Sequence, residues 1–245
     1  MTTRLGIGAA VAALLAAALT TTVPASAGAQ DPLLGAPAVG QCFDLSPEEL
    51  AQPTYPEAAI DCATPHTAQT LAVAQLPDEL AYDSPDLDGF AIETCFAAQR
   101  EALGLKNMTK VSLTAYYIGY FVPSAEQQAA GARWLRCDLV LGQVKKLHPL
   151  PDKLTVGKKP KKAVARCLTG RDFRVTVCAE KHTYRATGAF TIPGKKFPSV
   201  RKWQELGEKK CLRVVSTRQF RFGWPSEASW DAGDRSLTCY TKTKR

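Results

Sequence analysis

Histidine is scarce in this chain, and long apolar runs are absent from most of it. Its 245 residues include only His66, His148 and His182, which excludes a histidine-rich metal centre and leaves few bases for proton transfer. The sequence has no Gly-x-Ser-x-Gly elbow, no glycine-rich phosphate loop and no His-Glu-x-x-His zinc helix. After an alanine- and leucine-rich stretch from about Leu5 to Leu19, no segment approaches the length that spans a bilayer. Asp86 and Asp88 sit in a polar stretch with no apolar surround to raise a carboxyl pKa, and they read as solvent-facing turn residues. These absences predict a protein without catalytic activity, cofactor or metal.

What the chain does have is sulfur in a regular frame. Cys42, Cys62, Cys95 and Cys137 lie in the first half, and Cys167, Cys178, Cys211 and Cys239 in the second. The interval between the second and third cysteine is 33 positions in both groups. Cys62-Ala63-Thr64-Pro65-His66-Thr67 aligns without a gap on Cys178-Ala179-Glu180-Lys181-His182-Thr183, and Pro123-Ser124, Gly131, Arg133 and Leu135 align on Pro225-Ser226, Gly233, Arg235 and Leu237. A frame this long reads as an internal duplication, with a period too large for a solenoid. The expected fold is α+β: two tandem small disulfide-stapled domains, each a short, mostly antiparallel sheet with one packed helix.

The expected boundaries follow composition. Residues 1–27 have the charge, apolar core and small-residue end of a secretory signal cleaved after Ala27, and no cysteine there offers a lipid anchor. A flexible arm is expected over 28–38, a first domain over 39–142, a basic proline-containing linker over 143–162 and a second domain over 163–245. Within the domains, helices are predicted over about Phe90 to Leu103 and Ser199 to Leu212, and extended runs over Gln69 to Leu76, Val111 to Val122 and Arg218 to Trp224. Ser124 with Gln127 resembles a capping box.

An exported chain with an even number of cysteines is expected to hold disulfides, with three possible connectivities in each half. The interval between the first two cysteines is 20 positions in one half and 11 in the other, as a loop between paired strands allows. That favours Cys42 with Cys62, Cys95 with Cys137, Cys167 with Cys178 and Cys211 with Cys239.

Charge divides the chain. Residues 28–142 carry a net −10 and residues 143–245 a net +17. The basic half is read as a surface for a polyanion, with Lys158, Lys159, Lys161, Lys162, Lys195, Lys196, Lys209 and Lys210 as candidate anion-binding residues. Attraction between an acidic and a basic domain, or a plain solvated face, would explain the same charges.

Gly40-Gln41-Cys42-Phe43-Asp44, Asp61-Cys62 with Pro65-His66-Thr67, Cys95 in an alanine-rich helix, and Gly131-Ala132-Arg133-Trp134-Leu135-Arg136-Cys137 resemble the septum formation family. The second half departs from the pattern at Val177 and Lys181, where the family has Asp and Pro, and the first half has Gln128 at a family tryptophan that is Trp230 in the second. The resemblance implies an exported or tethered envelope protein of high-GC Gram-positive bacteria, associated with the division septum, and carries no reaction or cofactor.

His66 and His182 fill the same slot, four residues after a cysteine. A Cys/His metal site or nucleophilic pair is one reading, and a turn histidine bonded to nearby backbone is the simpler one. Arg133 and Arg235 are read as structural ion pairs with anion recognition as the alternative, and Tyr116, Tyr117 and Tyr120 as sheet packing with a ligand face as the alternative. The leading expectation is a secreted, non-catalytic binding or scaffold module whose partner is an anionic cell-wall polymer or an envelope protein. No transmembrane span is expected after signal cleavage, and nucleic acid is not an expected partner. The alternatives are an exported hydrolase using Cys/His or metal, and a structural protein with two charge-docked domains.

Overall fold

Short runs rich in β-branched and aromatic residues, punctuated by prolines and glycines, give short strands here, and serine caps start most of the helices. The computed structural model describes residues 31–143, 145–154, 156–157 and 159–243. The expected signal over 1–27 lies outside the described residues, as do the first three residues of the expected arm.

In chain order the elements of the first half are β1 (Cys42–Phe43), α1 (Pro47–Leu50), β2 (Ala68–Gln75), α2 (Leu87–Ala102), α3 (Met108–Val111), β3 (Tyr116–Phe121), α4 (Ala125–Ala129), β4 (Trp134–Gln143) and β5 (Lys146–His148). The second half follows with β6 (Arg166–Thr169), β7 (Arg174–Val177), β8 (Tyr184–Thr191), α5 (Val200–Cys211), β9 (Phe220–Gly223), α6 (Glu227–Asp231) and β10 (Ser236–Lys242).

Two antiparallel five-stranded sheets result. The first runs β1-β2-β4-β3 with β5 added on β4, and the second runs β7-β6-β8-β10-β9. The strand that follows each Cys-Ala-x-x-His-Thr turn, β2 or β8, pairs with the strand that carries the fourth cysteine, β4 or β10. The α+β expectation thus holds, with helices laid on antiparallel sheets.

The four disulfides are Cys42–Cys62, Cys95–Cys137, Cys167–Cys178 and Cys211–Cys239. Cys95–Cys137 ties α2 to β4 over a core of Leu76, Leu87, Ala91 and Leu135. Cys211–Cys239 ties α5 to β10 over Ile192, Trp203, Trp230 and Leu237, where Trp203 stacks on Trp224 with ring centroids 5.7 Å apart. Each of these large apolar side chains contributes roughly 1.5–3 kcal/mol by leaving water.

The two halves share a core. Leu103, Met108, Val111, Tyr116, Leu139 and Leu141 pack in one cluster with Leu150, Val164 and Val177. Backbone bonds cross the same seam, from Ala115 N–H to the Val164 carbonyl at 2.8 Å and from Arg166 N–H to the Leu113 carbonyl at 2.9 Å. The described residues from Asp31 to Thr243 cluster as one compact unit.

Three segments differ from their sequence reading. The stretch 143–162 contains β5, with Leu147 and Leu150 buried, because these leucines between the charged residues find apolar partners on the sheet. Residues 31–38 are held by bonds from Arg133 N–H to the Pro32 carbonyl (2.7 Å) and from the Trp134 indole to the Leu34 carbonyl (2.9 Å). The strand expected from Val111 begins only at Tyr116, because Asn107 caps α3 by accepting from Thr109 N–H at 3.1 Å.

Candidate functional site

An amphipathic helix buries one stripe and turns the other outward. In α5 the buried stripe is Trp203, Gly207 and Cys211, and its N-terminus is capped by Ser199, whose hydroxyl accepts from Lys202 N–H. The opposite face exposes Arg201, Lys202 and Lys209, while Lys210 lies across the Phe190 ring at 5.4 Å. Lys195 and Lys196 stand exposed in the preceding loop, where the Lys195 carbonyl accepts from the Trp230 indole at 3.2 Å. Lys159, Lys161 and Lys162 are exposed in a separate turn leading into β6, held by bonds from Val164 and Ala165 N–H to the Lys161 carbonyl. Lys158 lies outside the described residues. The structure therefore distributes the sequence candidates over two places, the turn before β6 and the α5 face with its preceding loop.

A third basic cluster had no sequence signal. Lys145, Lys146, Arg174 and Lys181 surround a cavity of about 240 Å³ between β5 and the β6–β7 hairpin, with Thr169, Thr176 and Glu180 completing the wall. Glu180 accepts from the Lys146 ammonium at 2.7 Å, which together with that positive charge holds its carboxyl below the usual range. His148 Nδ1 stands 3.9 Å from the same carboxylate. Burial lowers the His148 pKa, Lys146 adds to the shift and Glu180 opposes it. These residues meet only because β5 folds onto β4, and no periodicity in a three-residue strand announces that.

The ion pairs decide how the basic charge is used. Within the second half, Arg174 pairs with Asp172 at 3.0 Å, and Glu205 accepts Lys202 at 3.2 Å and Arg201 at 3.9 Å. Among the described residues no ion pair joins 31–142 to 163–243. Lys159, Lys161, Lys162, Lys195, Lys196, Lys209 and Lys210 have no acidic partner within 4.0 Å among the described residues.

The histidine turns are occupied by backbone. His66 Nδ1 lies 2.9 Å from the Thr64 carbonyl and His182 Nδ1 2.7 Å from the Glu180 carbonyl, and both rings are buried. The threonines that follow donate to the neighbouring strand, Thr67 N–H to Phe43 and Thr183 N–H to Leu168. Cys167, Cys178 and His182 place their donor atoms within 4.8 Å of one another. The two sulfurs are bonded to each other, so no thiolate is present to bind metal or attack a substrate.

Neither arginine expected in an ion pair has one among the described residues. Arg133 donates to the carbonyls of Pro77 (2.6 Å), Leu80 (2.9 Å) and Asp78 (3.3 Å), satisfying a loop end that no strand covers. Arg235 lies 4.0 Å from the centre of the Trp230 ring. Of the three tyrosines, Tyr116 is core, its hydroxyl pushed up to about 12 by burial. Tyr117 is 45 % exposed and Tyr120 half-buried, so the strand does not pack uniformly.

No helix among the described residues is long and apolar enough to cross a membrane. Comparison with curated proteins and with solved structures finds no match to either. The profile of one family, described as Septum formation, matches residues 110–239. That range begins in α3, crosses the seam between the halves and ends at Cys239, taking in the whole of the α5 face and the cavity between β5 and β7. Covering more than half of the sequence, the match shows that the chain belongs to the septum formation family.

Proposed function

We propose that this chain is a non-catalytic protein of the cell envelope, exported and associated with the division septum, whose basic second half holds an anionic wall polymer. Family membership supports the division and envelope setting. Four disulfides and the signal-like residues 1–27 support the oxidising side of the membrane. The paired sulfurs and backbone-bonded histidines leave the Cys/His hydrolase reading without a nucleophile.

The observation that carries the binding reading is the unspent charge. Two halves of net −10 and +17 pack together, yet their seam is apolar and backbone-bonded, with no ion pair between 31–142 and 163–243 among the described residues. Charge docking of two domains would place lysines against carboxylates there. Outward lysines instead attract a polyanion, and exposed charges act over about 8–10 Å at physiological salt. The shared strand order of the two sheets supports reading them as copies of one module, one kept acidic and the other turned basic.

The test uses the full chain on purified cell-wall sacculi. Retention at low salt should fall steeply as ionic strength rises, should weaken at least tenfold in the K195E/K196E/K209E/K210E variant, and should disappear on sacculi stripped of anionic polymer. Salt-insensitive retention, or none at all, refutes the polyanion reading.

A further inference from the structure

The acidic half has its own concave surface, which the polyanion reading leaves unused. β3 is the edge strand of the first sheet, and beside it lies a groove of about 500 Å³ walled by Tyr82, Tyr117, Tyr120, Asp83 and Asp88. Among the described residues, the only charged side chains lining it are the two aspartates.

The groove is built before any ligand arrives. The Tyr82 hydroxyl donates to the carbonyls of Trp134 (3.2 Å) and Ala132 (3.4 Å), and the Tyr120 hydroxyl donates to Asp88 Oδ1. Both hydroxyls are thus spent within the protein. Val122 N–H donates to the Pro53 carbonyl at 2.9 Å, fixing the loop after α1 against the end of the strand. Gly119 admits the Leu50 side chain so closely that a Cβ there would strike it. Asp88 Oδ2 and both oxygens of Asp83 have no hydrogen-bond or ion-pair partner among the described residues.

We propose that this groove seats lysine or arginine side chains of an extended basic segment from a partner protein. Tyrosine faces attract cations through the ring quadrupole, and two carboxylates without a neighbouring cation supply the complementary charge. The apolar wall of Leu50, Pro53 and Leu87 suits the methylene stem of such a side chain. A neutral saccharide would stack on the same rings but would leave both carboxylates unbalanced. Because Tyr82 and Tyr120 are already fixed, little ordering cost opposes binding.

The experiment titrates the full chain with a synthetic peptide of alternating lysine and glycine, by calorimetry at low salt. The lysine peptide should bind, and its lysine-acetylated form should bind at least tenfold more weakly. The D83N/D88N variant should lose at least tenfold in affinity, and Y117A should lose several-fold. The E57Q/E101Q variant, with the same change in net charge but outside the groove, should bind as the parent does. Circular dichroism and unchanged retention on sacculi verify that each variant is folded and that the basic half is unaffected. Absence of peptide binding at millimolar concentration, equal binding by the acetylated peptide, or an equal loss in E57Q/E101Q overturns the proposal. So does a neutral oligosaccharide that binds with the same affinity to parent and D83N/D88N.

Discussion

Arg136 and Asp138 alternate on β4 and face the same way, and their side chains are 3 % and 0 % exposed. Two bonds join them, Nη2 at 2.5 Å and Nε at 2.9 Å to one carboxylate oxygen, while Thr70 Oγ1 donates to the other at 2.8 Å. The guanidinium also lies over Phe43 at 4.2 Å and Phe121 at 4.8 Å. Burial pushes the Asp138 carboxyl upward, and Arg136 and Thr70 oppose that shift. In the second half the positions at the same offset from the cysteine are Thr238 and Tyr240, so the strand itself does not need the pair. Asp138→Ala, which strands a guanidinium away from water, should cost about 3–5 kcal/mol in urea unfolding, whereas replacing both residues by Met and Leu should be near neutral. A loss below about 1 kcal/mol for the single variant would mean that water reaches Arg136. Nothing in the sequence marked this pair, because all of Trp134–Gly142 is buried and an alternating pattern carries information only when one face is wet.

At the scale of elements, α5 was legible and the reason for its glycine was not. Trp203, Leu206 and Cys211 mark one face, and the expected helix over Ser199–Leu212 contains the observed Val200–Cys211. Gly207 reads from sequence only as a weak point in a helix. In the fold it lies against Phe222 on β9, and a Cβ would overlap the ring. Gly207→Ala sets about 1 kcal/mol of gained helix propensity against about 1–3 kcal/mol of overpacking. The variant should therefore have a lower Tm, and Phe222→Leu in that background should recover part of the loss. A higher Tm for Gly207→Ala alone would show that α5 shifts freely on the sheet. The capping box at Ser124 and Gln127 was readable because its partners are three residues apart, as was the cysteine pairing through its variable first loop. β5 was not, since Lys145 and Lys146 conceal Leu147 in a run that composition assigns to a linker.

At the scale of the whole molecule, the cysteine frame led to two sheets of like order but gave no sign of the seam between them. The residues that close it are scattered: Leu103 and Met108 precede β3, Leu150 lies in the basic stretch, Val164 precedes β6 and Val177 ends β7. Each alone looks like an ordinary buried residue of its own half, and only the fold shows that they share one cluster. Tandem domains joined by a polar linker unfold independently, whereas an apolar seam with crossing backbone bonds couples them. Unfolding in urea should therefore give one transition. Amide exchange in β2 and β4 should lose protection at the same midpoint as in β8 and β10, and Val164→Asp should lower both midpoints together. Two separated midpoints, or a Val164→Asp effect confined to the second sheet, would mean that the acidic and basic halves move independently. In that case the opposite charges would be free to reorient toward each other, and the proposal of an external polyanion would lose the observation that carries it.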